Sequence, residues 1–230
     1  MADSYLFEIE RTRFYRQIWQ MTMLLAVHAK AAFPYRPNPN IHLSGNTIPF
    51  NLIMNFEGAY EMFRSNRIGS SIHWGKTERH LASRKSNYFD TNHSGFMHDI
   101  FSGLFVLAFD PYIYWLKCNY GTNYHSWPPY CAFARLVRNA ISHSGTVNLN
   151  SENAPSGEWM GTRIGHAQNG MIIGEKITIG DYLVLMYDLN EELEVLGAPL
   201  HATWQTLKFV EGDPSIVEES RPPPDQAAIS

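Results

Sequence analysis

The chain has 230 residues, 44% hydrophobic and 17% charged, which suits one globular domain with a real core. No stretch approaches the roughly 18 uninterrupted apolar residues of a membrane span, and a net charge of −4 argues mildly against nucleic-acid binding. The distribution of charge points the other way. From Glu175 to Ser230 eleven acidic residues meet three basic ones, a charge of −8 that leaves +4 for 1–174. Pro111 to Ser151 contains no Asp or Glu but does contain Lys117, Arg135 and Arg138. Such an asymmetry can accompany polyanion binding, and it also arises by chance.

The apolar run "MTMLLAV" followed by "AKAAF" imitates a secretory leader. Glu8 and Glu10 precede it, and His28 and Lys30 follow at once, so the expectation is a cytoplasmic protein. The two cysteines, Cys118 and Cys131, have no metal-ligand spacing. They read as two buried thiols in a reducing compartment.

The first predicted element is a helix running roughly from Ser4 to Ala32, ended by "PYRPNPN" because proline cannot continue it. A second helical run covers about Pro49 to Asn66. The polar, basic stretch from Arg67 to Gly95 reads as a long loop or a short helix with loops. A third apolar run, Phe96 to Cys118, contains Pro111 and is expected to kink or break there. The fourth helix opens after "WPP" and stops near Ser144-Gly145. Short β-friendly pieces flank Asn169-Gly170, which predicts a hairpin over about 158–179. The last helix is "GDYLVLMYDLNEELEV", with Asp181 as its expected N-cap and Gly197 as its stop.

The expected fold is therefore mainly α, a helical bundle of four to six helices with one β-hairpin inserted before the last helix. One domain spans 1–210. An acidic, proline-rich tail over 211–230 is expected to be disordered.

The stretch "FARLVRNAISHSG" concentrates the chemistry. Phe133, Leu136, Val137, Ala140 and Ile141 make one apolar stripe at helical spacing. Arg135, Arg138, Asn139, Ser142 and His143 follow the same progression on the other side. Any amphipathic helix has a polar face, and cations near its C-terminus suit the macrodipole. This face, however, lacks the usual Glu, Lys and Gln. It offers a fixed cation, an amide and an imidazole, the residue type that changes charge near neutral pH.

"RNAISH", set in "LVRNAISHSG" late in a helix, resembles the signature of the HEPN superfamily, an arginine followed a few residues later by a histidine. The downstream Trp-Gly hairpin and final helix look similar to a HEPN subgroup found in bacterial conflict and plasmid-borne loci. The resemblance covers 128–197 well and the first half only as further helices. It implies a metal-independent endoribonuclease, a toxin or defence effector, that needs no cofactor. It also implies a homodimer with paired motifs across a cleft, and an antitoxin or regulatory partner is possible. By the same resemblance Arg138 holds the scissile phosphate, His143 moves protons and Asn139 orients the histidine or the RNA. Other members of the family are non-catalytic modules that bind RNA, nucleotide or protein, which is the alternative function.

Two further groups compete for attention. Trp74 beside Lys76, Arg79 and His80 could stack on a base and hold phosphates, with Arg135 adding a cation. A tryptophan that tucks a loop onto the core explains the same string. His93 and His98-Asp99 do not match the spacing of a helical zinc site, so no metal is expected.

Overall fold

The computed structural model describes residues 4–8, 12–32, 40–65, 71–78 and 91–200. Four strands form an antiparallel sheet: β1 (Ser4–Glu8), β2 (Asn40–Ser44), β3 (Phe50–Asn55) and β4 (Ser71–Glu78), in the order β1-β4-β3-β2. Leu52 sits opposite both Leu43 and Lys76, and Tyr5 opposite Trp74. Alternation places one side of β2, β3 and β4 in the core: Ile41 and Leu43, Leu52 and Met54, Ile72 and Trp74 are all buried.

This sheet corrects three expectations. The element expected to be helical from Ser4 begins instead as a strand, and helix α1 starts at Arg13 and runs to Ala32. The run from Pro49 to Asn66 divides at Asn55. β3 ends there, and the Asn55 side chain accepts from the N–H groups of Glu57 (3.0 Å) and Gly58 (3.3 Å) to open helix α2, Phe56–Arg64. The expected loop over 67–95 contains β4, one of the two interior strands. Strands of five to eight residues give only a short alternating signal, and where β3 runs straight into α2 no turn signal separates the two periods.

The helices α3 (Thr91–Tyr120), α4 (Pro129–Ser142) and α5 (Ile179–Val195) make the rest of the fold, which is predominantly α. α1 packs on α2, α3 and α5, and α3 also meets α4 and α5. Phe14 and Ile18 of α1, Phe105 of α3, Phe133 of α4 and Tyr182 of α5 share one hydrophobic cluster with Trp74 of the sheet.

Pro111 does not break α3. A proline deprives the carbonyl four residues earlier of its N–H partner. Here that carbonyl belongs to Leu107, and Arg13 Nε of α1 donates to it at 3.3 Å. A donor from the neighbouring helix replaces the one that the ring removes.

The hairpin is shorter than expected and turns elsewhere. β5 (Gly157–Trp159) pairs with β6 (Thr162–Ile164) through Met160 and Gly161, whose φ values of 47° and 78° suit a tight turn of the primed type. Asn169-Gly170 instead joins short helical turns, and the Asn169 side chain accepts from Leu149 N at 2.8 Å. α5 also starts differently. Thr178 is its N-cap, and Asp181 lies three residues in, its carboxylate accepting from Thr178 N at 2.9 Å. Gly197 follows the helix with φ 76°, as expected for its stop. Among the described residues no helix is long and apolar enough to cross a membrane. The tail over 211–230 lies outside the described residues.

Candidate functional site

α4 is the helix whose polar face carries the candidate residues. Cys131, Phe133, Leu136, Val137 and Ala140 are buried, which fixes the helix against α3, α5 and β5. Arg135, Arg138 and Asn139 are half-buried, whereas Ser142 and His143 are exposed. The polar face thus grades from sheltered to open along the helix.

Arg138 is held. Its Nε donates to Asp110 Oδ1 at 2.6 Å and its Nη2 to Oδ2 at 3.0 Å, a two-point pair with α3 in which both side chains are about a quarter exposed. The hydrogen bond to Asp110 raises the guanidinium pKa further, with burial opposing it, so the charge is permanent. Asp110 occupies one edge of the planar group. The opposite edge, with Nη1, has no partner among the described residues.

Arg135 is used differently. Its guanidinium carbon lies 3.1 Å from the centre of the Tyr124 ring and 5.9 Å from that of Trp127. Burial lowers its pKa, with Tyr124 opposing. The face of this arginine is committed to an aromatic shelf.

His143 closes the helix. Its N–H reaches Asn139 O (3.0 Å) and Ala140 O (3.1 Å), while no hydrogen bond engages its ring among the described residues. Ser144 and Gly145 then turn the chain with φ values of 59° and 79°, the first an uncommon conformation for a residue with a side chain. The turn is pinned from behind, because Ile173 N donates to Gly145 O at 2.7 Å and Thr146 bridges Ile172. His143 is therefore an exposed group on a fixed base. Five residues separate it from Arg138, which places the two about 140° apart around the helix and about 7.5 Å apart along it.

The other expected binding residues do not gather here. Trp74 is fully buried, its Nε1–H donating to Thr22 Oγ1 at 3.1 Å, so it is a core residue and no platform for a base. Lys76 is half-buried with its ammonium 4.8 Å from the centre of the Phe50 ring. Arg79 lies outside the described residues. The histidine of the rejected metal reading, His98, places Nε2 3.1 Å from the Ile177 carbonyl. Among the described residues no three His, Cys, Asp or Glu side chains converge as a metal site would require.

Of the two thiols expected to be buried, only Cys131 is, and Cys118 is exposed. Burial and the carboxylate of Glu192 push the Cys131 thiol pKa up, which suits a packed group and not a nucleophile. The residue that sequence reasoning missed is Asp110. It lies 28 positions from Arg138, on another helix, and no local pattern links them. Compared with models of protein families, with curated proteins and with solved structures, the chain matches none.

Proposed function

We propose that the open end of α4 is the working face of a metal-independent endoribonuclease of HEPN type, acting as a toxin or defence effector. The observation that carries this reading is the half-used guanidinium of Arg138. Asp110 fixes its orientation through one edge and leaves Nη1 for phosphate oxygens, which an arginine recognises as a planar fork. The exposed imidazole of His143 supplies a proton carrier on a rigid turn.

In this mechanism the ribose 2′-oxygen attacks the adjacent phosphorus and the 5′-oxygen leaves, giving a 2′,3′-cyclic phosphate. Arg138 balances the charge added to the phosphoryl oxygens. His143 takes the 2′ proton or delivers one to the leaving oxygen, and Asn139 orients that ring or the strand. One imidazole cannot do both jobs at once, and it faces about 140° away from Arg138. A homodimer resolves both difficulties, because His143 of the partner subunit adds a second proton carrier at the same phosphate. Light scattering at micromolar concentration should give about twice the chain mass of 26.3 kDa. A monomer at that concentration would remove the paired site.

The direct test is incubation of the purified protein with mixed RNA in EDTA. Cleavage should proceed, leave cyclic or 3′-phosphate ends and fall about 10²–10⁴-fold in His143→Ala. A second reading, a non-catalytic module binding RNA or nucleotide, draws on one observation: Asp110 neutralises Arg138 and weakens its pull on a phosphate. RNA bound but left intact by both proteins would select it.

A further inference from the structure

Beyond His143 the turn at Ser144 and Gly145 forms one wall of a cavity of about 380 Å³. α3 lines it with His98, Asp99 and Ser102, and Ile141 and Ile172 line it as well. The volume is that of a small-molecule site. The nature of its polar groups is informative, because each of the three side chains from α3 is an acceptor.

The Ser102 hydroxyl donates to Asp99 O at 2.9 Å, so what remains of it is lone pairs. His98 Nε2, 3.1 Å from the Ile177 carbonyl, must carry the proton of that contact, which leaves Nδ1 bare in the neutral ring. The His98 ring is further fixed by Gly174, where an added Cβ would stand 3.2 Å from Cε1. The Asp99 carboxylate is exposed, and no hydrogen bond or ion pair engages it among the described residues. The α3 side of the cavity offers acceptors, the Ser144 hydroxyl on the other wall can donate, and isoleucines complete the lining, which asks for a flat ring that presents donors along one edge and an acceptor beside them.

We infer that this cavity binds an unstacked guanine base, with the Asp99 carboxylate taking the N1–H and the N2 amino group together. Single-stranded RNA is read in this manner, by bases splayed from the strand and bonded along their Watson–Crick edges. Guanine alone offers two adjacent donors on that edge. Adenine and cytosine place one amino group beside a bare ring nitrogen, which a carboxylate repels, and uracil flanks its single N–H with two carbonyls. Ser102 lies eight residues before Asp110 on α3, so the cavity is about 12 Å along that helix from the Arg138 pair. A strand held at Arg138 can pass His143 and lodge a neighbouring base here. The inference rests on the ribonuclease reading for the source of the base, but the cavity can be tested without cleavage.

The experiment is calorimetric titration of the full chain with each of the four nucleoside 3′-monophosphates, followed by cleavage mapping on a mixed-sequence RNA. The guanine nucleotide should bind about tenfold or more tightly than the other three, since a good bidentate pair discriminates by that much. Asp99→Asn should erase the preference. The residue is exposed, so the fold should survive, and circular dichroism checks it. Ile172→Ala, at a residue 53% exposed, should weaken all four nucleotides alike and keep the preference. Equal affinity for the four bases, or a guanine preference that persists in Asp99→Asn, would overturn the inference whether or not RNA is cut. Selective guanine binding lost in Asp99→Asn, with RNA intact, would uphold the cavity and remove the ribonuclease reading instead.

Discussion

The start of α5 and the end of α4 are both helix termini built from polar residues, and they handle their polar groups in opposite ways. At the start of α5, Asp181 has no exposed surface. Its carboxylate accepts from the backbone N–H groups of Asn46 (2.8 Å), Thr47 (3.1 Å), Ile48 (2.9 Å) and Thr178 (2.9 Å). These bonds clamp the turn between β2 and β3 onto a helix of the other half of the fold. At the end of α4, Ser142 and His143 are exposed, and no hydrogen bond or ion pair engages their side chains among the described residues. A buried carboxylate with every lone pair used is a structural fastening. An exposed imidazole with no described partner is asked for little by the fold beyond its place at a helix end.

The contrast breaks most readily at Asp181. Asp181→Ala would remove the acceptor of four backbone N–H groups, that of Ile48 in a buried bond and the other three in part-buried ones, with about 1–3 kcal/mol at stake for the buried group and less for each of the rest. Urea denaturation should show a loss of at least about 3 kcal/mol, or no folded protein at all. A loss under about 1 kcal/mol would mean that water enters the turn and replaces the carboxylate. A smaller effect belongs to the Arg13 contact beside Pro111. Arg13→Ala should cost about 0.5 kcal/mol, because the bond it removes from the Leu107 carbonyl is exposed and water can partly replace it. In a Pro111→Ala background the helix regains its own N–H, and the same substitution should cost close to nothing. Equal costs in the two backgrounds would show that Arg13 acts through packing.

The two termini also differ in what the amino-acid sequence discloses. The stripe of Phe133, Leu136, Val137 and Ala140 announces α4 and its polar face, because helical periodicity is local. The "WPP" start and the Ser144-Gly145 stop are local too, and all three stand where expected. The sheet is another matter. Ile72 and Trp74 alternate with His73 as a strand should, but a stretch of eight residues amid polar sequence is a faint signal. Its partners β1 and β3 lie some 20 to 70 residues away, where no window reaches. The same distance hid Asp110 from Arg138 and hid the wall of the cavity from the turn that completes it. Local sequence offers Asp181 as a cap, but its main partners, Asn46 to Ile48, are more than 130 positions away.

Farther along α5, two carboxylates give the contrast a pH dependence. Burial pushes the Asp188 carboxyl above its ordinary range, opposed by the Trp159 N–H that donates to it at 2.7 Å. Burial raises Glu192 as well, opposed by hydrogen bonds from Cys131. A raised carboxyl pKa means that the folded chain binds more protons than the unfolded chain just above the ordinary range. Their contribution is complete below the unfolded-state values of about 4 and is lost as pH rises through the raised ones. Stability measured from about pH 4 towards neutrality should fall less steeply in Asp188→Asn than in the parent. An unchanged slope would show that the Asp188 carboxylate is well solvated in the folded chain.

The smallest expected effect on folding sharpens the comparison furthest. His143→Ala removes an exposed side chain whose ring has no described partner, and it leaves the backbone bonds that end α4 in place. Its melting midpoint and urea midpoint should shift by no more than about 0.5 kcal/mol allows. The imidazole is then free to carry a catalytic role without compromising the fold, and an activity lost in this variant is lost from the chemistry. A destabilisation of about 2 kcal/mol would mean that the ring docks on something, most directly a second copy of the chain. Repeating the melt over a hundredfold range of concentration separates the cases, because only a subunit contact makes the midpoint rise with concentration. A cost that is independent of concentration would make His143 part of the fold, and the opposition between the two termini would fail.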